Sequence, residues 1–308
     1  MTSSEVVVVD STMVETVPPR LAVGNIGKLK TRSSGNTGRI NALIYGEPGA
    51  GKSLLAAMAS MVPEMSPVLY VDLDNGTTVL EHLPQEARDQ ITTIPDEDVQ
   101  LTWDDMQEVY DYLFKGRHPF KTVIVDSVTE AQAINMGHLA GYDEQVEINA
   151  PMPKFDEWNE TTAQMRRFFR AFRDLKMNSF FIATTSETPD PKSAAKKGED
   201  PKMLIRPSLS KKLRGDAPAF FDVVLYMYAL RRGRQNIRFV QTDKDDFVIA
   251  KCRFPGVPVV IENPTMELLY DMMIRHPSAS TVNFKGGGAS AGGAQSTQPQ
   301  REMMRKRA

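Results

Sequence analysis

The chain has 308 residues and a net charge of −2, so a contact with nucleic acid has to come from a local basic patch rather than from the whole surface. Apolar residues make up 41% and charged residues 25%, which is typical of a globular protein with one large or two modest domains. The single cysteine, Cys252, excludes an intrachain disulfide and a cysteine-rich metal site, and the apolar run at residues 6–9 is too short for a membrane span. We therefore expect a cytoplasmic protein without membrane contact.

The two ends of the chain differ in composition from its middle. Residues 1–38 carry many Ser, Thr, Val and Gly without a sustained period, which predicts a mostly disordered arm. Residues 278–308 form a Gly/Ser/Gln-rich tail with a basic end, and such a composition cannot build a core. The basic end is either a solvated tail or a contact with a partner or nucleic acid. Residues 39–277 are expected to form the folded domain.

Strand and helix patterns alternate through this domain. Short, almost wholly apolar segments predict strands that are covered on both faces, and amphipathic segments between them predict helices. The expected fold is therefore α/β, a mostly parallel central sheet flanked by helices, with a β-hairpin extension and a closing helix at its carboxyl end. The predicted strands are 40–45, 68–73, 122–126, 180–184 and 223–228, followed by 236–242, 247–252 and 257–262. The predicted helices are 51–60, 103–114, 156–177 and 265–275.

The first strand leads into a glycine-rich motif. Residues 46–53, Gly-Glu-Pro-Gly-Ala-Gly-Lys-Ser, fit the pattern G-x-x-x-x-G-K-[ST] between a predicted strand and a predicted helix. Backbone N–H groups of such a loop wrap phosphates, while Lys52 is expected to reach the β- and γ-phosphates and Ser53 to hold Mg²⁺. The predicted cofactors are thus ATP and Mg²⁺. The predicted nucleotide-binding residues are Gly46, Glu47, Pro48, Gly49, Ala50, Gly51, Lys52, Ser53 and Leu54.

Carboxylates end two of the later strands. Asp126 follows the apolar residues 122–125 and is the predicted second ligand of Mg²⁺, with a helix-capping role as its alternative. Hydrolysis also needs a group that orients the attacking water. Ser127 stands where many AAA-type ATPases carry a glutamate, which argues against that class. Asp74 is the candidate base and Asp72 the alternative, although either could be a turn residue. The predicted catalytic residues are Lys52, Asp74 and Asp126.

Taken together, the motifs resemble those of the RecA-like ATPases over roughly residues 39–262. The order of the P-loop, the acidic strand end at 71–76, the strand with Asp126 at 123–130 and the late Ala-Lys-Cys-Arg at 250–253 is most similar to core-only phage recombination ATPases. These are single-strand annealing proteins of the Sak type. The resemblance implies a RecA-like ATPase domain at 39–277 that binds ATP, assembles as a homo-oligomeric ring or filament and contacts single-stranded DNA.

The same resemblance implies annealing or strand pairing in a host bacterial cytoplasm, with a single-strand-binding protein as a further partner. Recombinases usually carry a glutamate where this chain has Asp74, so the implied hydrolysis is slow and DNA-stimulated. The glutamine that commonly couples the γ-phosphate to DNA is absent after the strand at 180–184. Thr185 and Ser186 are the nearest candidates for that role.

A long basic segment follows that strand. Residues 187–215 are expected to form a connection between two core strands, and between Asp190 and Arg214 eight Lys/Arg face three acidic residues, a local net charge of +5. The charge predicts sequence-independent contact with DNA phosphates, although a solvated loop has the same composition. Residues 129–156 could form a second wall of a DNA channel. The DNA-binding candidates are Lys192, Lys196, Lys197, Lys202, Arg206, Lys211, Lys212 and Arg214.

Two late cations are candidates for a contact between subunits. Lys251 and Arg253 are separated by one residue on a predicted strand, so both can point to one face. By resemblance they could reach a neighbour's γ-phosphate as an arginine finger does, or they could be ordinary surface cations.

Other functional classes share these features. A RecA-fold helicase or helicase loader would show DNA-stimulated turnover with unwinding, and a nucleotide-gated assembly module would bind ATP without turnover. A small-molecule kinase is less consistent with the sequence, because no arginine-rich lid with an acceptor pocket is evident, although residues 187–215 could imitate one.

Overall fold

The computed structural model describes residues 25–26, 29–30, 38–96, 99–142, 149–190 and 202–277. Most of the predicted arm and the whole predicted tail therefore lie outside the described residues. Within the arm, strands β1 (Asn25–Ile26) and β2 (Leu29–Lys30) pair antiparallel. The described ranges contain no helix that is long and apolar enough to cross a membrane.

The main sheet confirms the predicted mostly parallel architecture. Its strands are β3 (Asn41–Gly46), β4 (Val68–Asp72), β5 (Ile91–Ile94), β6 (Thr122–Asp126), β7 (Asn178–Pro189), β8 (Met203–Pro207), β9 (Val223–Arg232), β10 (Gln235–Gln241), β11 (Lys251–Cys252) and β12 (Val260–Glu262). The spatial order is β12-β10-β9-β3-β7-β6-β4-β5. Strands β9, β3, β7, β6, β4 and β5 run parallel, whereas β10 and β12 extend the sheet antiparallel as the expected hairpin extension.

Helices cover both faces of the sheet, and nearly every side chain of its central strands is therefore buried. The helices are α1 (Lys52–Ala57), α2 (Gln85–Arg88), α3 (Trp103–Phe114), α4 (Val128–Ala140), α5 (Phe155–Asp174), α6 (Lys211–Phe220) and α7 (Met266–Tyr270). One apolar core contains side chains of α3, α4, α5 and α6. The other contains side chains of α1, α2 and α7. The sheet is thus the middle of three layers, as expected for an α/β domain.

Strand register brings the functional residues to one edge of the sheet. Gly46, the last residue of β3, pairs with Thr184 of β7, and Asp126, the last residue of β6, pairs with Asp72 of β4. Parallel strands present their carboxyl ends at the same edge, which is where ligands bind in open α/β sheets. The P-loop and the strand-end carboxylates therefore share that edge.

Residues 129–156 and 187–215, the two segments proposed as walls of a DNA channel, contain helices and strands in their described parts. In residues 129–156 the described part contains α4 and the start of α5. In residues 187–215, β7 continues to Pro189, β8 pairs back onto it, and α6 begins at Lys211. The β7–β8 ribbon carries polar and half-buried residues on both faces, so it lacks the apolar alternation that identifies a strand. Strand β5 and helix α2 were not predicted because they are only four residues long.

Candidate functional site

The P-loop follows β3 directly, and its glycines are required by the backbone. A Cβ atom on Gly46 would lie 2.0 Å from the carbonyl oxygen of Met227 in the neighbouring strand β9, so only glycine fits there. Gly49 and Gly51 have φ angles of +75° and +99°, a region that disfavours residues with a side chain. These conformations turn the chain from β3 into α1, which begins at Lys52. The predicted strand–loop–helix context of the motif is confirmed.

Lys52 lies inside the loop with its side chain buried. Its Nζ donates a hydrogen bond to the carbonyl oxygen of Glu47 at 3.0 Å. Burial lowers the pKa of Lys52 below its usual value, whereas the charges of Asp126 and Asp74 oppose this decrease. An ammonium group that is already held within the loop, with two carboxylates close enough to affect it, is suited to bind phosphate oxygens.

Asp126 lies at the centre of a buried polar cluster. The Tyr70 hydroxyl of β4 donates a hydrogen bond to its Oδ2 atom. Burial raises the pKa of Asp126 above its usual value, while interactions with the Ser53 hydroxyl and the Tyr70 phenol oppose the increase. We call Lys52, Ser53, Tyr70 and Asp126 the P-loop cluster. Sequence reasoning missed Tyr70, because one tyrosine in an apolar strand has the same pattern as a core aromatic residue.

The P-loop cluster fits a magnesium site. A buried carboxylate whose charged form is disfavoured by burial gains from a nearby divalent cation, and Asp126 and Ser53 offer the hard oxygen ligands that Mg²⁺ prefers. In the described part of the chain, no three His, Cys, Asp or Glu side chains are grouped to hold a metal ion. Mg²⁺ at Ser53 and Asp126 would therefore take its remaining ligands from phosphate oxygens and water, which is its usual mode of binding.

The two carboxylates at the carboxyl end of β4, Asp72 in the strand and Asp74 just after it, have different surroundings. Asp72 is buried, and its Oδ1 accepts hydrogen bonds from the backbone N–H groups of Asp74 at 3.2 Å and Gly76 at 3.1 Å, so it holds the turn. Asp74 is exposed, and its Oδ1 accepts a hydrogen bond from the Ser127 hydroxyl at 2.9 Å. Asp72 therefore holds the backbone of the turn, whereas the carboxylate of Asp74 does not. As an exposed carboxylate beside Lys52, Asp74 stays the candidate base.

The strand beside the P-loop leads from the nucleotide side toward the basic segment. The hydroxyls of Thr184 and Thr129 lie 3.3 Å apart, and the backbone N–H of Thr184 donates to the Thr129 hydroxyl at 3.2 Å. Two residues later, the Ser186 hydroxyl accepts a hydrogen bond from Nη1 of Arg214 in α6 at 3.2 Å. Ser186 is thus a contact between β7 and a predicted DNA-binding residue. The other candidate for coupling, Thr185, pairs with Pro207 in the β7–β8 ribbon.

The predicted DNA-binding residues fall into different environments. Arg206 is half-buried and donates to the carbonyl oxygens of Ile205 and Phe247, so it supports the fold around β8. Lys202 lies over the ring of Phe247 at 5.8 Å. Lys211 and Lys212 are exposed and Arg214 is half-buried at the start of α6, and we call these three residues the basic surface. Lys192, Lys196 and Lys197 lie outside the described residues.

Exposed aromatic residues lie next to the basic surface. Phe155 and Trp158, in the first turns of α5, are 76% and 43% exposed. The Lys212 ammonium donates a hydrogen bond to Oδ1 of Asn159 at 2.9 Å, which joins α6 to that end of α5. Further along α5, Met165, Phe168, Phe169 and Phe172 are buried in the core, whereas Trp158, on the same face of the helix by its spacing in the sequence, is not.

Both candidates for a subunit contact are engaged within the chain. The Lys251 ammonium donates to the carbonyl oxygens of Pro218 at 3.0 Å and Phe221 at 2.7 Å, and burial lowers its pKa. Arg253 forms an ion pair with Asp222 at 2.7 Å. Either cation would have to leave these partners to contact a second subunit, and the role in trans stays a prediction.

The chain is similar to one protein family and to several solved structures. A family model described as an AAA domain, AAA_24, matches residues 39–254. Similar solved structures include flagellar accessory protein FlaH from Methanocaldococcus jannaschii, with 14% identity, a TM-score of 0.39, and coverage of 74% of this chain and 87% of that chain. The RadB recombinase has 15% identity, a TM-score of 0.39 and coverage of 72% and 86%. A KaiC-like protein from Pyrococcus horikoshii OT3 has 12% identity, a TM-score of 0.37 and coverage of 73% and 89%. No curated protein matches the chain.

Proposed function

The chain belongs to the AAA domain family AAA_24, and from this premise we propose that it is an ATP-hydrolysing DNA recombination protein of the phage single-strand annealing type. It binds single-stranded DNA as an oligomer and promotes annealing or strand pairing. Membership corrects the inference drawn from Ser127, because a serine after Asp126 does not exclude the chain from a family described as AAA. Residues 39–277 form the ATPase domain, and residues 1–38 and 278–308 flank it as arm and tail.

The P-loop cluster supports the nucleotide half of this proposal. Lys52 contacts the β- and γ-phosphates, and Ser53 and Asp126 hold Mg²⁺. When bound, Mg²⁺ would neutralise charge on the phosphates. Asp74 would orient the attacking water, and the Ser127 hydroxyl keeps its carboxylate in place. An aspartate has a shorter reach than the glutamate usual in recombinases, so hydrolysis is slow.

One observation carries the link from nucleotide to DNA. Thr184 is in register with Gly46 at the start of the P-loop, and Ser186, roughly 7 Å further along the same strand, bonds to Arg214. A change at the P-loop would therefore be passed to the basic surface along one strand, through Thr184 and Ser186. ATP binding orders this surface, and hydrolysis releases it.

The neighbouring side chains support single-stranded DNA as the ligand. Lys211, Lys212 and Arg214 offer positive charge for the phosphates, and Phe155 and Trp158 offer exposed rings on which unpaired bases can stack. This combination of cations and exposed aromatic rings is typical of proteins that bind single strands without sequence preference. In an oligomer, Lys251 and Arg253 exchange their contacts within the chain for the γ-phosphate of a neighbouring subunit.

ATP turnover, measured with and without single-stranded DNA, tests the proposal, together with binding of a labelled oligonucleotide. Lys52→Ala is the control without a functional P-loop. We expect DNA to stimulate turnover, ATP to strengthen oligonucleotide binding, and complementary strands to anneal without unwinding of a duplex. ATP binding without any DNA binding or stimulation would refute the DNA function. Efficient unwinding would instead assign the chain to the helicase class.

A nucleotide-gated assembly module is the second candidate, and the short side chain of Asp74, at a position where recombinases usually carry a glutamate, favours it. If Asp74 is the base, Asp74→Ala lowers turnover while ATP affinity is retained, and Asp74→Glu keeps or raises turnover. Turnover that is equal in wild type and Asp74→Ala would remove Asp74 as the base. Wild type that binds ATP and oligomerises without any turnover would establish the assembly module.

A further inference from the structure

Arg238 of β10 packs against the P-loop from the side opposite to Asp126. A Cβ atom placed on Gly51 would lie 2.8 Å from Nε and 3.0 Å from Cδ of Arg238, and 3.2 Å from Cε of Met227. The side chain of Arg238 therefore occupies the space that the missing side chain of Gly51 leaves. Gly51 serves two purposes at once, since its φ of +99° also requires a glycine.

The guanidinium of Arg238 has no counterion or hydrogen-bond partner among the residues that the structure describes, and the side chain is exposed. Two other arginines of the same hairpin, Arg231 and Arg232, are engaged. Arg232 lies over the ring of Phe239 at 5.5 Å and 3.6 Å from Glu262, and Nε of Arg231 donates to the carbonyl oxygen of Gly233. An arginine stays charged and offers five N–H donors, so Arg238 presents an unused anion-binding group at the loop.

Strand order decides which part of a nucleotide meets this group. In the order β10-β9-β3-β7-β6, Arg238 lies two strands from β3 in one direction, and Asp126 lies two strands from it in the other. The γ-phosphate lies toward Asp126 and Asp74 in the proposed function. The α-phosphate and the nucleoside must then extend toward β9 and β10, where Arg238 lies.

We infer that Arg238 is a nucleotide-binding residue in cis, which contacts the α-phosphate and ribose that ATP and ADP share. The inference rests on the proposed nucleotide binding and adds a contact on the far side of the loop. Arg238 holds ADP as well as ATP, so it slows the release of product and does not discriminate between the two nucleotides. Because its stem packs on Gly51, the contact is held in place before the nucleotide binds, which limits the loss of side-chain entropy.

The test is a titration of the full chain with fluorescent analogues of ATP and ADP. We expect Arg238→Gln to weaken binding of both analogues by about tenfold or more, which is the usual loss for a hydrogen bond to a charged group. Arg238→Lys keeps the positive charge but loses the planar guanidinium with its several N–H donors. Its affinity for both analogues should lie between those of Arg238→Gln and wild type. Arg234→Gln, at an exposed arginine in the turn of the same hairpin, should bind as wild type does.

Three outcomes decide against the inference. Equal affinities of wild type, Arg238→Gln and Arg238→Lys would overturn it while the proposed ATP binding stands. A loss for the ATP analogue alone would move Arg238 to the γ-phosphate and also overturn it. Wild type that binds neither analogue would refute the proposed function, and the inference with it. Thermal unfolding without nucleotide shows whether the variants are folded. If Arg238→Gln does not fold, Arg238→Lys still tests the inference, because lysine keeps the aliphatic stem that packs on Gly51.

Discussion

The P-loop cluster and the basic surface lie at the same edge of the sheet, yet they are built in opposite ways. In the cluster, Lys52, Tyr70 and Asp126 are buried, and their polar groups contact one another or the backbone of the loop. On the basic surface, Lys211 and Lys212 are exposed, and Arg214 is half-buried with the Ser186 hydroxyl as its side-chain partner among the described residues. The first region is fixed before a ligand binds, whereas the second can rearrange.

This difference indicates how the two regions should respond to substitution. Removing one member of a buried polar network leaves another member without a partner, which costs far more than losing a solvated charge. Substitutions in the P-loop cluster should therefore cause large effects on nucleotide chemistry or folding. Substitutions on the basic surface should cause small effects that add up and depend on salt.

The largest effect is expected for Asp126→Asn. Asparagine keeps the size of the side chain and can still accept the hydrogen bond from Tyr70, but it removes the charge that holds Mg²⁺. ATP turnover should fall by about a thousandfold, and its dependence on Mg²⁺ concentration should weaken. Asp104→Asn, at an exposed carboxylate of α3, is the control and should retain activity. An unchanged Mg²⁺ dependence in Asp126→Asn would mean that the metal binds elsewhere.

Gly46→Ala should have the next largest effect, and it acts on stability. The added Cβ would meet the Met227 carbonyl oxygen at 2.0 Å, and neither strand can move without breaking the pairing of β3 and β9. The free energy of unfolding should fall by about 3 kcal/mol, as measured by chemical denaturation without nucleotide. Gly76→Ala is the matched control, because no atom lies within 4 Å of a Cβ at that position. Equal losses in both variants would exclude the close approach as the cause.

The sequence predicted the parts of the site that depend on local spacing. The P-loop could be read because its pattern lies within eight residues, and the central strands because burial on both faces leaves an apolar run. Tyr70 and Arg238 could not be assigned, since their roles come from neighbours more than fifty and more than a hundred residues away in the chain. The engagement of Arg206 and Lys251 by backbone carbonyls likewise depends on tertiary contacts that composition does not contain.

A smaller effect is expected for Tyr70→Phe, and pH should reveal it. Burial raises the pKa of Asp126 above its usual 3.8, so protonation weakens Mg²⁺ binding as the pH falls through the raised value. Tyr70 donates to the charged form, and its loss raises the pKa of Asp126 further. Tyr70→Phe should therefore bind Mg²⁺ with ATP about tenfold more weakly, with the weakening starting at a higher pH than in wild type. A pH profile identical to that of wild type would leave Tyr70 with a packing role alone.

The raised pKa of Asp126 also predicts in which direction the stability of the nucleotide-free protein changes with pH. An acid whose pKa is higher in the folded state than in the unfolded state binds its proton more readily when folded. The contribution of Asp126 to stability is thus most favourable below pH 3.8, and it is lost as the pH rises through the raised pKa. Asp126→Asn should abolish this dependence. Denaturation of both proteins over that pH range, without Mg²⁺, measures the difference.

Arg214→Ala should have the smallest effect on binding, and it tests the comparison most directly. As one cation among several, Arg214 should contribute about threefold to the affinity for single-stranded DNA and about one unit to the salt slope. Because its guanidinium also contacts Ser186, the variant should lose more of the strengthening by ATP than of the binding itself. Lys211→Ala, which lacks a link to β7 in the described structure, should lose affinity but keep the response to ATP. If both variants responded equally to ATP, the two regions would be independent neighbours at one edge, and the path through β7 would carry no coupling.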